Sequence, residues 1–208
     1  MAWTGLPQLL VIPPVPLLMK RIDTRVLVGA GLAVFAASCL MNLDLDLNYA
    51  APQLFIPDVT RAVGQALVLT PISAIAMVGI APHEAGDASG LFNMMRNLGG
   101  AIGTAAVETF STKREQFHSF IINAHVSLLE PATRDRLGGL QGYFTAHGFP
   151  DPAGALHRAV VAVGDTVRAQ ATVMGYADCF GLLGVVLLAA ILPVVFLKKG
   201  TASGGAAH

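Results

Sequence analysis

Apolar stretches separated by short polar breaks divide the first 110 residues, and a further apolar stretch lies near the end. A helix that crosses a bilayer needs about 20 mainly apolar residues, because it rises about 1.5 Å per residue through a hydrocarbon core about 30 Å thick. By that measure residues 26–43 form a clear span, rich in small residues such as Gly29, Gly31 and Ala36. Residues 56–80 form another and carry Asp58, Arg61, Gln65 and Pro71; residues 88–110 form a further one and carry Asn93, Arg96, Asn97 and Glu108. The stretch 4–19 is shorter and holds Pro7, Pro13, Pro14 and Pro16. Prolines remove backbone donors, which membrane helices tolerate as kinks, so this stretch reads as a kinked or truncated span. Residues 173–197 make a last span with a single acid, Asp178.

Between 111 and 172 the pattern changes: charged residues become frequent, 11 of the chain's 26, together with His118, His125, His147 and His157. The segment reads as a long water-exposed loop with amphipathic helical patches near 117–129 and 155–171 and a break at 148–152. Its scattered histidines read as solvated side chains. A Gly/Ala/Ser tail, 198–208, follows Lys198 and Lys199 at its start.

Composition sharpens this picture. The chain is 54% hydrophobic and 12% charged, where a soluble domain carries about 25% charged residues. Net charge is zero, with no basic block for nucleic acid. Cys39 and Cys179 each lie in an apolar stretch, which gives neither a disulfide framework nor a zinc spacing. No metal or cofactor pattern appears, and neither a His-Glu-x-x-His run nor a Gly-x-Ser-x-Gly elbow is present, so no enzyme is expected. The first basic residue, Lys20, follows the first apolar stretch instead of preceding it, so no cleavable leader is expected.

The charges inside the apolar stretches carry the functional reading. A charge at the bilayer centre costs about 2.5–3.5 kcal/mol on insertion scales, so it is kept where it meets a bundle interior, a polar cavity or a counter-charge. Arg96 lies about ten residues into its span, near the midplane at about 1.5 Å per residue. Asn93 precedes it by one turn, and Gly99 and Gly103 follow as a GxxxG pair that lets a backbone approach. Arg61, Asp58, Glu108 and Asp178 fall at similar depth in the outer part of the membrane and suggest an interhelical polar cluster. In one reading Asp178 or Glu108 exchanges protons while Arg61 tunes it; in the other the group is a static ion pair that fixes packing. Pro71, with Gly64 and Gly79, marks a kink.

Short-loop lysines and arginines set orientation. Arg21 and Arg25 lie between the first two spans, and Lys198 and Lys199 follow the last. Five crossings from an outside start put both groups in the cytoplasm and the 111–172 loop outside.

Three runs resemble a known family, the fourteen-span drug:proton antiporters of the EmrB/QacA type in the major facilitator superfamily. They are Gly90-Leu91-Phe92-Asn93-Met94-Met95-Arg96-Asn97-Leu98-Gly99-Gly100-Ala101-Ile102-Gly103, the Arg61-Ala62-Val63-Gly64-Gln65 run leading to Pro71, and Leu18-Met19-Lys20-Arg21-Ile22-Asp23-Thr24-Arg25. The resemblance covers nearly the whole chain and the last five spans of that family. It implies an all-α polytopic membrane bundle, the carboxy-terminal part of a major facilitator fold. Arg21 and Arg25 match basic positions of a cytoplasmic gating loop, while Lys20 stands where that motif carries an acid. Arg96 matches the penultimate-span arginine.

The function implied is proton-coupled export of small lipophilic drugs across the bacterial inner membrane, by residues including Arg96, Asn93, Arg61, Gln65, Asp178 and Glu108. Expected partners are the lipid bilayer, the amino-terminal half of the transporter, which this chain lacks, and a periplasmic accessory protein at the long loop. Half a cavity cannot alternate access, so the chain is expected not to transport alone. The alternative is a stand-alone membrane protein that completes its bundle with another polypeptide.

Overall fold

The computed structural model describes residues 13–19, 21–46, 51–81, 83–127, 129–148 and 151–196. Residues 4–12 of the first expected span, Lys20 and the tail 198–208 lie outside them. The described chain is all-α, with helices α1 (Val15–Met19), α2 (Thr24–Leu40), α3 (Ala51–Ala76), α4 (Ala85–His125), α5 (Pro131–Ala146), α6 (Pro152–Ala189) and α7 (Ile191–Phe196).

Local chemistry explains the ends. Asp23 caps α2 by accepting the Arg25 N–H at 3.2 Å. Asp151 caps α6, taking the Gly154 N–H at 2.9 Å and the Ala153 N–H at 3.3 Å, with Pro152 at the first helical position where no donor is needed. Helix α3 starts and ends about five residues earlier than the apolar stretch suggested. It runs through both Pro57 and Pro71, and the chain then turns at Gly79 with φ 84°. Such a left-handed residue ends a helix, and glycine adopts it without a Cβ penalty.

The larger difference concerns the segment 111–172. Helix α4 does not stop near 110 but continues to His125, and α6 begins at Pro152 and runs unbroken into the last apolar stretch. The two amphipathic patches are therefore extensions of the flanking helices, and a further helix, α5, stands between them. The reason is local: 111–125 contains neither Gly nor Pro, so a change from apolar to charged residues alters which faces are wet without breaking the backbone. The break at 148–152 is where Gly148 takes φ 108°.

Two compact units result. In the first, α2 packs along α3 through small residues. A Cβ on Gly64 would lie 2.6 Å from the Phe35 backbone nitrogen, and one on Gly31 2.9 Å from the Leu67 Cβ. Ala36, Ala62 and Ala66 are buried alongside. Val28, Leu32 and Val194 form the core, flanked by Val68, Leu187 and Ile191. The first half of α4 belongs to this unit yet has no buried residue. In the second unit, α6 presents a seam at four-residue spacing, Ala155, Ala159, Val167, Ala171 and Cys179, all buried, with Gly175 between them so close to α4 that a Cβ there would lie 3.4 Å from Ser111 O and 3.3 Å from Glu115 N. Residues four apart form one ridge of a helix, and small ones let it come close.

Among the described residues, two stretches are long and apolar enough to cross a membrane, Pro52–Ala76 and Pro152–Val194; Thr24–Leu40 is apolar but shorter. Only 22% of the most apolar window of each long stretch is buried. Apolar helices so little covered by their own chain suit lipid or further helices better than water. Helix α4 is not among the two, because Asn93, Arg96, Asn97 and five glycines dilute its apolar residues.

Candidate functional site

The strongest polar constellation lies in the second unit. Arg114 and His118 are one turn apart on α4, so both side chains leave the same face. Opposite them, Gly175 brings α6 close, and Asp178 follows one turn later. The short carboxylate thereby reaches both: Arg114 Nε donates to Asp178 Oδ2 at 2.6 Å, and His118 Nε2 meets the same oxygen at 2.6 Å. The His118 side chain is 11% exposed, against 34% for Arg114 and 33% for Asp178. Phe117 closes one side, its ring 4.9 Å from the Arg114 guanidinium carbon and edge-on to His118 at 5.6 Å. An arginine keeps its charge under all ordinary conditions. Oδ2 therefore always faces one cation, and the histidine donates Nε2–H to it as neutral imidazole or as imidazolium.

Asp178 is matched by Arg114 and His118, drawn from the stretch read as a loop of solvated histidines, while Arg61 is matched within its own helix by Asp58, one turn away at 3.1 Å. The missed signal was the spacing Arg114 to His118 on a helix that never broke. Gln65 lies one turn beyond Arg61. The Glu108 carboxylate has no ion-pair partner among the described residues; its backbone carbonyl accepts from Thr112 Oγ1 at 3.0 Å.

The remaining expected residues belong to the first unit. Arg96 is exposed on the bare half of α4, and Asn93 folds back on its own helix, donating to the Ser89 carbonyl at 3.0 Å. Nothing described lies within 4 Å of a Cβ placed on Gly99 or Gly103, so their packing role finds no partner among the described residues; Gly31 and Gly64 fill that role instead. Pro71 is fully buried within α3. Arg21 lies in the turn after α1 and Arg25 in the first turn of α2, where its Nε is buried without a hydrogen-bond partner. No group of three or more metal-type ligands occurs among the described residues.

Beside the Arg114 face, α4 and α6 frame an open groove of about 650 Å³ lined by Glu115, Gln116, Ser119, Asn123 and Arg168, with Phe120 at its edge.

Comparison with known proteins gives this geometry a context. The chain is 24% identical over 197 residues to the colistin resistance protein EmrB of Acinetobacter baumannii, covering 95% of this chain and 38% of that protein. It is 26% identical over 215 residues to the fatty acid resistance protein FarB of Neisseria gonorrhoeae, covering 100% of this chain and 40% of that protein. A shorter match, 39% over 97 residues, links 46% of the chain to 20% of the cephamycin export protein CmcT of Amycolatopsis lactamdurans. The chain thus spans about two fifths of the length of the first two, and the matched region is their carboxy-terminal part. No family model and no solved structure matches it.

Proposed function

Because the chain is similar to the carboxy-terminal part of EmrB/QacA-type drug efflux transporters of the major facilitator superfamily, we propose that it serves as that segment of a proton-coupled exporter of lipophilic compounds in the bacterial inner membrane. The observation that carries the proposal is the bare first half of α4. Leu91, Met94, Met95, Leu98 and Ile102 are each 50% or more exposed there, around an arginine and a line of glycines that admit another backbone. A helix with both an apolar surface and an unmatched intramembrane cation needs neighbours that supply packing and acceptors. The amino-terminal bundle of a transporter would supply both, leaving Arg96 and Asn93 lining the space between the halves.

In this reading Arg21 and Arg25 face the cytoplasm, the extensions of α4 and α6 project outward, and the Arg114–His118–Asp178 cluster sits at the outer membrane boundary, since Arg114 lies only four residues past the apolar stretch 88–110. The chain would not transport alone, and the long extensions would be the part available to a periplasmic accessory protein.

The test is drug accumulation in cells that express the chain by itself, or joined to the amino-terminal three fifths of the Acinetobacter relative. Export should appear only in the joined form and should vanish on Arg96→Ala with membrane abundance unchanged. Export by the chain alone would overturn the proposal. Recovery of the unjoined chain in a defined complex with a second native membrane polypeptide would favour the partner-protein alternative.

A further inference from the structure

The polar cluster poses a question about where a proton can reside. Protonating Asp178 on Oδ2 displaces one of the two donors held there at 2.6 Å, and one of those is a permanent cation. His118 has an easier route. Its Nε2 serves Asp178 in either charge state, and its Nδ1 has no hydrogen-bond partner among the described residues, nor is it among the buried unpaired polar atoms. A proton can therefore arrive at or leave Nδ1 while both bonds to Oδ2 stay in place.

We propose that His118 is a proton-binding site of the α4–α6 pair. Nδ1 is the atom that takes up and releases the proton, Asp178 is the fixed counter-charge, and Arg114 is the positioning residue that holds the carboxylate. Without the proton the three side chains sum to zero charge, and with it to plus one. Imidazole is the side chain whose ordinary titration falls between pH 5 and 8, which suits a site that fills and empties under physiological gradients.

The other charged groups nearby are few. On α4, Glu115 precedes His118 by three residues and Lys113 by five. On α6, Asp178 is the acid in contact, Tyr176 lies two residues before it, and Arg168 lies ten residues away, about 15 Å along the helix. Attraction to Asp178 at hydrogen-bond distance and repulsion from Arg114 beyond it act on the imidazolium in opposite directions. The site also lies where Gly175 brings the two helices into close contact, so a change of charge is felt by their packing. The site itself stands on geometry alone; its use in energising export rests on the transporter reading above.

The experiment is a pH titration of the histidine ring signals by NMR, on the purified full chain in lipid nanodiscs, with His118 assigned by its loss in His118→Gln. Glutamine keeps a donor toward Asp178, so that variant also checks that the fold survives. The His118 signals should respond to pH, with the midpoint moving to lower pH in Asp178→Asn and to higher pH in Arg114→Gln. A His118 signal that does not respond to pH, or a midpoint unmoved by both substitutions, overturns the site whatever becomes of transport. In the joined transporter, His118→Gln should flatten the pH dependence of efflux at unchanged abundance; an unaltered profile beside a normal titration would overturn the coupling role alone.

Discussion

Replacing Gly64 by alanine sets two effects of known sign against each other. In a helix interior alanine is favoured over glycine by about 1 kcal/mol, so a free-standing α3 would gain. The new Cβ, however, would lie 2.6 Å from the Phe35 backbone nitrogen and 2.9 Å from its Cα. Normal contact is about 3.5 Å, and backbone atoms inside α2 cannot swing aside, so the helices must part by almost an ångström. A gap of that size forfeits a quarter to a half of each dispersion contact, each worth about 0.1–0.2 kcal/mol. If some 50 atom pairs cross this interface, as a buried leucine makes by itself, the loss is about 2–3 kcal/mol. Subtracting the propensity gain leaves a net destabilisation of about 1–2 kcal/mol, within the usual range for overpacking. An equilibrium unfolding titration of the purified chain in mixed micelles reads the difference. Gly99→Ala is the control: nothing described lies within 4 Å of its Cβ, so it should be neutral or stabilising. Equal stability of Gly64→Ala and wild type, or an equal loss in Gly99→Ala, would refute the close-approach argument.

The same logic applies in the second unit. Gly175→Val should push α6 off α4 and break the Arg114–Asp178 bond, lowering the thermal midpoint in detergent, whereas Gly164→Val, with open space around it, should not. Asp151→Ala removes the acceptor for two backbone N–H groups at the start of α6; the cost is about 1 kcal/mol, visible as faster hydrogen exchange at Ala153 and Gly154 with α4 unaffected. Arg61→Gln frees only an i,i+3 partner that is one-third exposed, so stability should change by less than about 1 kcal/mol; a larger loss would mean that Arg61 has an acceptor beyond Asp58.

What could be read from sequence divides along the range of the interaction. Hydropathy marked apolar stretches at 26–43 and 56–80, and the helices α2 and α3 occupy 24–40 and 51–76, because the apolar content of a helix is a local property of its sequence. Asp58 and Arg61 were grouped by depth, and the structure pairs them at 3.1 Å because three residues of helix bring them to one face. Asp178 was grouped by depth with Arg61, Asp58 and Glu108, and its contacts in the structure are with residues 60 and 64 positions away; which helix faces come together is decided by packing. The determinant of that packing was the hardest to see. Ala155, Ala159, Ala171 and Gly175 do not stand out by hydropathy from their apolar surroundings, yet their four-residue spacing lets α6 lie close to α4 and sets which charged groups meet. The bare half of α4 is the converse case. Its Asn93-to-Gly103 run stands out in the sequence, while the described residues hold nothing that covers it. Under the proposed reading such a signal marks a surface for helices outside this bundle, which is why the experiments on Arg96 belong in the joined transporter and those on His118 in the chain itself.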